Sequence, residues 1–265
     1  MGNRIIGLLT DFGLQDYFVA SLKGVILSIN PEAEIIDITH DLPDYSLQAA
    51  AFVLLASYRF FPHQTIFLTV VDPGVGSERH LLLARSDRYY FIGPDNGLLS
   101  PVIEAEKAEV LEITGENYYL TLRRTSFEGR DKMAPVAAWL SLGIDLSELA
   151  RPAKSFERLS WPEPQITDRE IRGSIIYQDK FGNLITNLSQ QLVASFLNSN
   201  QGSSLALLAG RKRISEMAAT YSQAPRNKAF FMINSLGLLE IAVFASSAAS
   251  LLGLEPGDNV ILKLE

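Results

Sequence analysis

Short apolar runs alternate with longer amphipathic ones through the first half of the chain. Residues 4–9 (RIIGLL) read as a buried strand, and residues 17–29 (YFVASLKGVILSI) carry apolar side chains at helical spacing up to Asn30 and Pro31. Residues 35–38 predict a second strand, 47–58 a second helix and 65–71 a third strand. This alternation predicts an α/β domain with a mainly parallel sheet, whose functional groups gather at the carboxyl ends of its strands. Residues 81–85 and 89–92 read as a strand pair, GPDNG at 93–97 as a tight turn, and 134–142 as a helix docked on the sheet.

The pattern changes between residues 151 and 172, where prolines at 152, 162 and 164 and charged residues clustered at 154–158 erase the periodicity. An N-terminal α/β domain over residues 1–152, a linker over 153–170 and a smaller C-terminal domain over 171–265 are expected. The last of these holds short β-type runs (GSIIYQD, NLITNLS, SLALLAG, KAFFMINSLG, LLEIAVFASS and NVILKLE) broken by Gly, Asn and Ser turns. Regularly spaced short strands predict a small sandwich or barrel.

Composition narrows the classes. With 265 residues, 47% of them hydrophobic and 20% charged, the chain can build one large core or two smaller ones. It has no cysteine, which removes disulfides and thiolate nucleophiles and fits a reducing cytoplasm. His40, His63 and His80 lie too far apart for a helix-borne metal pair; a site built from carboxylates stays open but nothing in the sequence supports one, and no metal is expected. The formal net charge is −7, and basic residues are scattered except at Arg123-Arg124 and Arg211-Lys212-Arg213. That balance argues against nucleic acid and is compatible with a cationic small molecule. The opening MGNRIIGLLTDFG has no long apolar core with a cleavage site, and no apolar run reaches the roughly 18 residues of a membrane span. A cytoplasmic protein, neither exported nor membrane-embedded, is expected.

Candidate chemistry falls at strand and helix ends. VVDPGVGSERH follows the third strand with an acid, a rigid turn and a basic shoulder; TDFG follows the first. TDFG does not fit the kinase metal tripeptide, because only ten residues precede Asp11. DPGVGS resembles the glycine-rich turn of Rossmann methyltransferases, lacks the Lys-Ser/Thr end of a phosphate loop, and by itself is a turn. Asp11, Asp72 and the block SFEGRDKMAPVAA at 126–138 sit where side chains can converge on one pocket. A carboxylate at Asp11 has two oxygens for the two hydroxyls of a ribose; the alternative is an N-cap for the helix near Tyr17. In YQDKFGNLITN, Asp179, Phe181 and Asn183 offer a carboxylate for an ammonium, an aromatic face and an amide for a base edge, although a turn alone would also explain the Asn.

In order, LLTDFGLQDYFVASLKGVI, VVDPGVGSERH, FIGPDNGLLS, FEGRDKMAPVAAWL, YQDKFGNLITN and NSLGLLEIAVFASSAASLLGLEPGD resemble the S-adenosylmethionine hydroxide adenosyltransferase family, relatives of the fluorinases and chlorinases, over essentially the whole chain. The resemblance implies an N-terminal α/β domain, a C-terminal β-barrel, and a homotrimer with its site where the N-domain of one subunit meets the C-domain of its neighbour. It implies hydrolysis of S-adenosylmethionine to adenosine and methionine, with no cofactor beyond that substrate. By motif position Asp11 is similar to the ribose-binding Asp, Asp179 and Ser235 to residues holding the methionine end, and Phe181, Asn183 and the backbone at Ala245 to adenine contacts. Asp72 and Arg79 match two of three groups around the attacking water. The third departs: family members typically read TFHGRD, and this chain reads SFEGRD, with Glu128 in the place of His. Two carboxylates near one water should leave one protonated to higher pH unless Arg79 offsets the repulsion. The expectation is a hydrolase with a Glu variant of the triad. Its rivals are a nucleotide-binding sensor without turnover, a halogenase, disfavoured because carboxylates repel a halide, and a methyltransferase.

Overall fold

A computed structural model describes residues 5–198 and 204–264. Arg4 of the first expected strand and Glu265 of the last lie outside the described residues. The chain divides into two compact units, residues 1–160 and 161–265.

Among the described residues the first unit has the strands β1 (Ile5–Thr10), β2 (Glu34–Thr39), β3 (Ile66–Val70), β4 (Leu81–Arg85), β5 (Tyr90–Pro94), β6 (Glu109–Ile113) and β7 (Ala150–Pro152). They form one sheet in the order β2-β1-β3-β5-β4-β6-β7. The four strands β2, β1, β3 and β5 are parallel, and β4, β6 and β7 extend the sheet antiparallel. Its helices are α1 (Phe18–Ile29), α2 (Leu47–Ser57), α3 (Ser100–Glu106), α4 (Ala134–Ser141) and α5 (Leu146–Leu149).

β3 reads IFLTV without a polar break because both of its faces are covered, and all five residues are buried. On one face Ile6, Leu8, Ile66 and Leu68 pack against Leu22 and Ile26 of α1 and Val136 and Ala137 of α4. On the other, Phe67 stacks on Phe91 at 5.3 Å, with Tyr58 and Tyr89 edge-on around them. Each fully buried Ile, Leu or Phe contributes about 1.5–3 kcal/mol through removal from water. This two-sided core fixes where β1 and β3 end, and their register pairs Thr10 with Val70. Chain order reverses about β1, with β2 on one side and β3 on the other. The carboxyl ends of β1 and β3 therefore flank a topological switch point, where open α/β sheets leave a crevice.

The second unit holds β8 (Gln165–Ile166), β9 (Glu170–Gln178), β10 (Leu184–Ser189), β11 (Leu205–Ala209), β12 (Lys212–Ile214), β13 (Ala229–Ile233), β14 (Leu238–Val243) and β15 (Asn259–Leu264), with helices α6 (Gln190–Asn198) and α7 (Ala248–Leu252). The antiparallel path is β12-β11-β15-β9-β10-β14-β13, with β8 beside β9. Its end strands β12 and β13 approach each other, so the sheet curls into a nearly closed barrel around Ile171, Leu207, Phe231 and Leu262.

The helices α6 and α7 are additions to the all-strand reading of this half. Ser247 caps α7 by accepting from the Ser250 N–H, and Gly253 ends it in the left-handed region. Residues 157 and 159, inside the expected linker, belong to the first unit: the Glu157 N–H donates to Asp95 and the Leu159 N–H to Ser100. Among the described residues no helix is long and apolar enough to cross a membrane.

Candidate active site

After β3 the chain makes two successive turns, with the Val75 N–H donating to the Asp72 carbonyl and the Ser77 N–H to that of Gly74. Asn96 of the GPDNG turn donates to the Val71 carbonyl at 2.9 Å and anchors the strand end from the side. The double turn brings Arg79 back over Asp72. Its Nε donates to Asp72 Oδ1 at 2.8 Å and its Nη2 to Oδ2, a fork-to-carboxylate pair. His80, one residue on, points elsewhere and pairs with Glu112 at the surface.

The remaining Arg79 nitrogen, Nη1, donates to Glu128 Oε2 at 2.8 Å. Glu128 precedes a single π-helical turn, Gly129–Met133, that runs directly into α4. Its first residue has to be glycine: a Cβ on Gly129 would stand 2.8 Å from Val70 Cγ1, at the end of β3. That contact presses the segment onto the strand end and brings Glu128 to Arg79. The other Glu128 oxygen, Oε1, accepts from Lys132 Nζ at 2.5 Å.

These side chains are almost dry, with Asp72 5%, Glu128 4% and Arg79 9% exposed. Burial alone would raise the Glu128 carboxyl, but the hydrogen bonds from Lys132 and Arg79 overturn it and hold the group below its ordinary value. The sequence left one carboxyl protonated to higher pH unless Arg79 offset the repulsion; at Glu128 the offset comes from Arg79 and, beyond what was expected, from Lys132. Arg79 is likewise held cationic; burial works against its charge and is outweighed by the bonds to Asp72 and Glu128.

Asp72 and Glu128 line a cavity of about 420 Å³ together with Asp11, Asp16 and Asp44. Phe12, Phe18 and Phe127 form an apolar wall of it, their ring centroids 5.3–5.5 Å apart. Asp11 stands immediately after β1, level with Asp72 after β3. It is no helix cap, because α1 starts at Phe18 behind Tyr17 without a side-chain bond. Asp11 Oδ2 accepts from the Tyr45 N–H at 2.9 Å, and Tyr45 holds a left-handed backbone (φ 61°). Burial pushes the Asp11 carboxyl above its usual range, against the Tyr45 N–H, while Asp44 and Asp72 add to the rise. The structure thus brings four of the expected residues, Asp11, Asp72, Arg79 and Glu128, to one place, and adds Lys132, Asp44, Tyr45 and the three phenylalanines.

The other expected residues belong to the second unit. Asp179 ties the β9–β10 hairpin: its carboxylate accepts from the Phe181 and Asn183 N–H groups at 2.9 and 2.8 Å and from Asn183 Nδ2 at 2.8 Å. Phe181 projects from the hairpin tip 76% exposed, while Asn183 is buried. Ser235 is exposed in the β13–β14 turn, and Ala245 follows β14 with φ 52°, an uncommon conformation for a residue with a Cβ. The Asn183 amide reaches Tyr221, which donates to the buried Glu240, a chain of bonds that residue spacing had not revealed. Among the described residues no cluster of three or more His, Asp or Glu is placed to hold a metal ion.

An α/β unit with its pocket at strand carboxyl ends, followed by a barrel-like antiparallel unit, defines the class of protein. Residues 6–150 match the SAM hydroxide adenosyltransferase N-terminal domain and residues 173–261 the C-terminal domain of the same family. The chain belongs to the SAM hydroxide adenosyltransferase family. It is 33% identical to the (R)-S-adenosyl-L-methionine hydrolase of Thermus thermophilus, covering 98% of this chain and 99% of that protein. A crystal structure of an uncharacterized conserved protein from Thermotoga maritima superposes with a TM-score of 0.88 at 34% identity, over 97% of this chain and 99% of that one. The fluorinase of Actinopolyspora mzabensis is more distant, at 24% identity over 97% of this chain and 96% of its own.

Proposed function

We propose that this protein hydrolyses S-adenosyl-L-methionine to adenosine and L-methionine. A water oxygen bonds to the ribose 5′ carbon, the carbon–sulfur bond breaks with its electron pair going to sulfur, and Asp72 takes the water's proton. The sulfonium is already a good leaving group, so holding the water in line and excluding other solvent are the main tasks. No cofactor takes part in this scheme. The observation that carries it is the buried Asp72 carboxylate, gripped by the fork of Arg79 at the mouth of β3 beside Asp11. Arg79 fixes the carboxylate's direction, and the five acidic residues of the cavity suit a cationic substrate. Asp11 is assigned to the ribose hydroxyls. Asp179 and Ser235 are assigned to the methionine end, and Phe181, Asn183 and the Ala245 backbone to adenine.

Family membership and the hydrolase names of the relatives support the reaction. The same reading includes a homotrimer with sites completed between subunits, and a cytoplasmic setting that accords with the cysteine-free sequence. The test is incubation of purified protein with S-adenosyl-L-methionine in oxygen-18 water, followed by mass spectrometry. Adenosine carrying the label at its 5′ hydroxyl, with methionine in equal amount, is the expected result. S-adenosylhomocysteine, a 5′-halogenated nucleoside, or tight binding without product would overturn it. Binding without product is the sensor reading, which the replacement of His by Glu128 favours.

A further inference from the structure

Glu128 brings a negative charge to the place where the sequence resemblance implies a His, next to an aspartate whose side chain is already buried. Alone, that exchange would leave two anions sharing the single charge of Arg79. The chain carries a second cation at the same spot. Lys132, one turn along the π-helical segment, places Nζ 2.5 Å from Glu128 Oε1, with its side chain only 14% exposed and lying over the Tyr119 ring at 5.8 Å. Asp72, Glu128, Arg79 and Lys132 then sum to zero, the same charge that an Asp, an Arg and a neutral His would have.

We infer that Lys132 is a positioning residue of this site, supplying the counter-charge that lets Glu128 stand in the place of His and leaves the Arg79 fork committed to Asp72. The inference rests on the hydrolase reading for its consequence in catalysis, and on geometry for the pairing itself. Without Lys132, Glu128 Oε1 loses the cation it is paired with and competes with Asp72 for the one remaining guanidinium. A proton then enters the cluster more readily, and the aspartate loses its fixed direction. The groups facing Glu128 are few: Arg79 from the loop after β3, Lys132 on its own segment, Tyr119 from the preceding loop, and the aspartates of the cavity. Tyr119 is pushed up to about 12 by burial and nearby carboxylates, so it stays neutral and cannot replace the lysine. Arg130 is taken up by Asp131 at 2.6 Å.

The test uses the full chain with carboxyl-carbon-labelled glutamate, in wild type and in Lys132→Met, Lys132→Arg and Glu128→Gln/Lys132→Met variants. Carbon-13 NMR follows the Glu128 titration, and adenosine release gives kcat/KM against pH. In Lys132→Met the Glu128 midpoint and the acid limb of the rate profile are expected to rise together by about one pH unit or more. Lys132→Arg should return both toward wild type. The double variant, neutral again, should return the acid limb toward its wild-type position, whatever its absolute rate. An unmoved Glu128 midpoint in Lys132→Met, or an acid limb displaced as far in the double variant as in Lys132→Met, would overturn the inference. If wild type releases no adenosine, the hydrolase reading fails while the NMR titration still decides the pairing. Should Lys132→Met not fold, Lys132→Gln, shorter but polar and uncharged, carries the same measurements.

Discussion

At the scale of single residues, the acidic groups of the cavity are held in opposite ways. Asp72 and Glu128 are dry but paired with cations, whereas Asp11 meets its charge with backbone N–H groups, its own and that of Tyr45. Burial therefore wins at Asp11, whose carboxyl sits above its usual range. A group whose pKa is raised by folding binds its proton more tightly in the folded chain, so stability falls as pH rises through the window between the unfolded and folded values and stays lowered above it. Ionised Asp11 thus weighs against the fold at neutral pH, as functional groups often do. Asp11→Asn keeps an acceptor for Tyr45 and removes the charge. It is expected to raise the melting temperature at pH 7, with the gain shrinking towards about pH 4, and to weaken adenosine binding at least tenfold through loss of the second ribose acceptor. Thermal melts at both pH values and calorimetry decide this; an equal gain at both would mean that charge is not the cause. The Asp72–Arg79 pair was legible through the family resemblance of DPGVGSER, whose turns bring Arg79, seven residues on, back to Asp72. Lys132 was not, since reading it as a partner of Glu128 requires knowing that residues 128–132 wind helically.

At the scale of elements, the ends of strands and helices carry the candidate chemistry, and two of them are backbone devices. Ala245, assigned to adenine, and Tyr45, whose N–H holds Asp11, are both left-handed and neither is a glycine; such local strain persists only under surrounding constraint. The β9–β10 hairpin uses the opposite solution. Gly182 takes φ 82°, its N–H donates to the Asp179 carbonyl, its carbonyl accepts from Ala249, and a Cβ there would meet Ser247 Oγ at 2.1 Å. Gly182→Ala therefore strains the turn and displaces the residue that caps α7. A loss of about 1–3 kcal/mol is expected from the overpacking and the left-handed alanine together, read from urea denaturation; an unchanged midpoint would mean that the hairpin yields freely. The strands with continuous apolar runs were legible because those runs are short and bounded by turn residues, whereas β6, β7, β8 and β12, short and rich in charged or polar residues, were not. The helices α6 and α7 escaped for a physical reason. QQLVASFLN buries only Val193 and Phe196, and the five residues of α7 sit inside a block whose other apolar residues are strand, although Ser247 and Gly253 mark its two ends.

At the scale of the whole molecule, the cavity with Asp72 lies in the first unit, while Asp179, Phe181, Asn183, Ser235 and Ala245 lie in the second. A substrate that uses both sets must be held by two units, which belong either to one chain or to two. The proposed trimer chooses two, and this choice has a consequence that can be counted. Asp72→Asn disables the first unit's half, and Phe181→Glu, at an exposed hairpin tip, disables the second unit's half without touching the core. Each variant alone should be inactive. When the two are co-expressed in equal amounts and assemble at random, a working site needs its first unit from a Phe181→Glu subunit and its second from an Asp72→Asn neighbour. Each condition is met half the time, so about one quarter of wild-type activity should return in a closed ring of subunits. Sites built within a single chain would return nothing, because every chain then carries one broken half. Sedimentation of the mixed sample supplies the mass at which the activity travels, and activity recovered at the mass of one chain would refute sites shared between subunits as firmly as no recovery would.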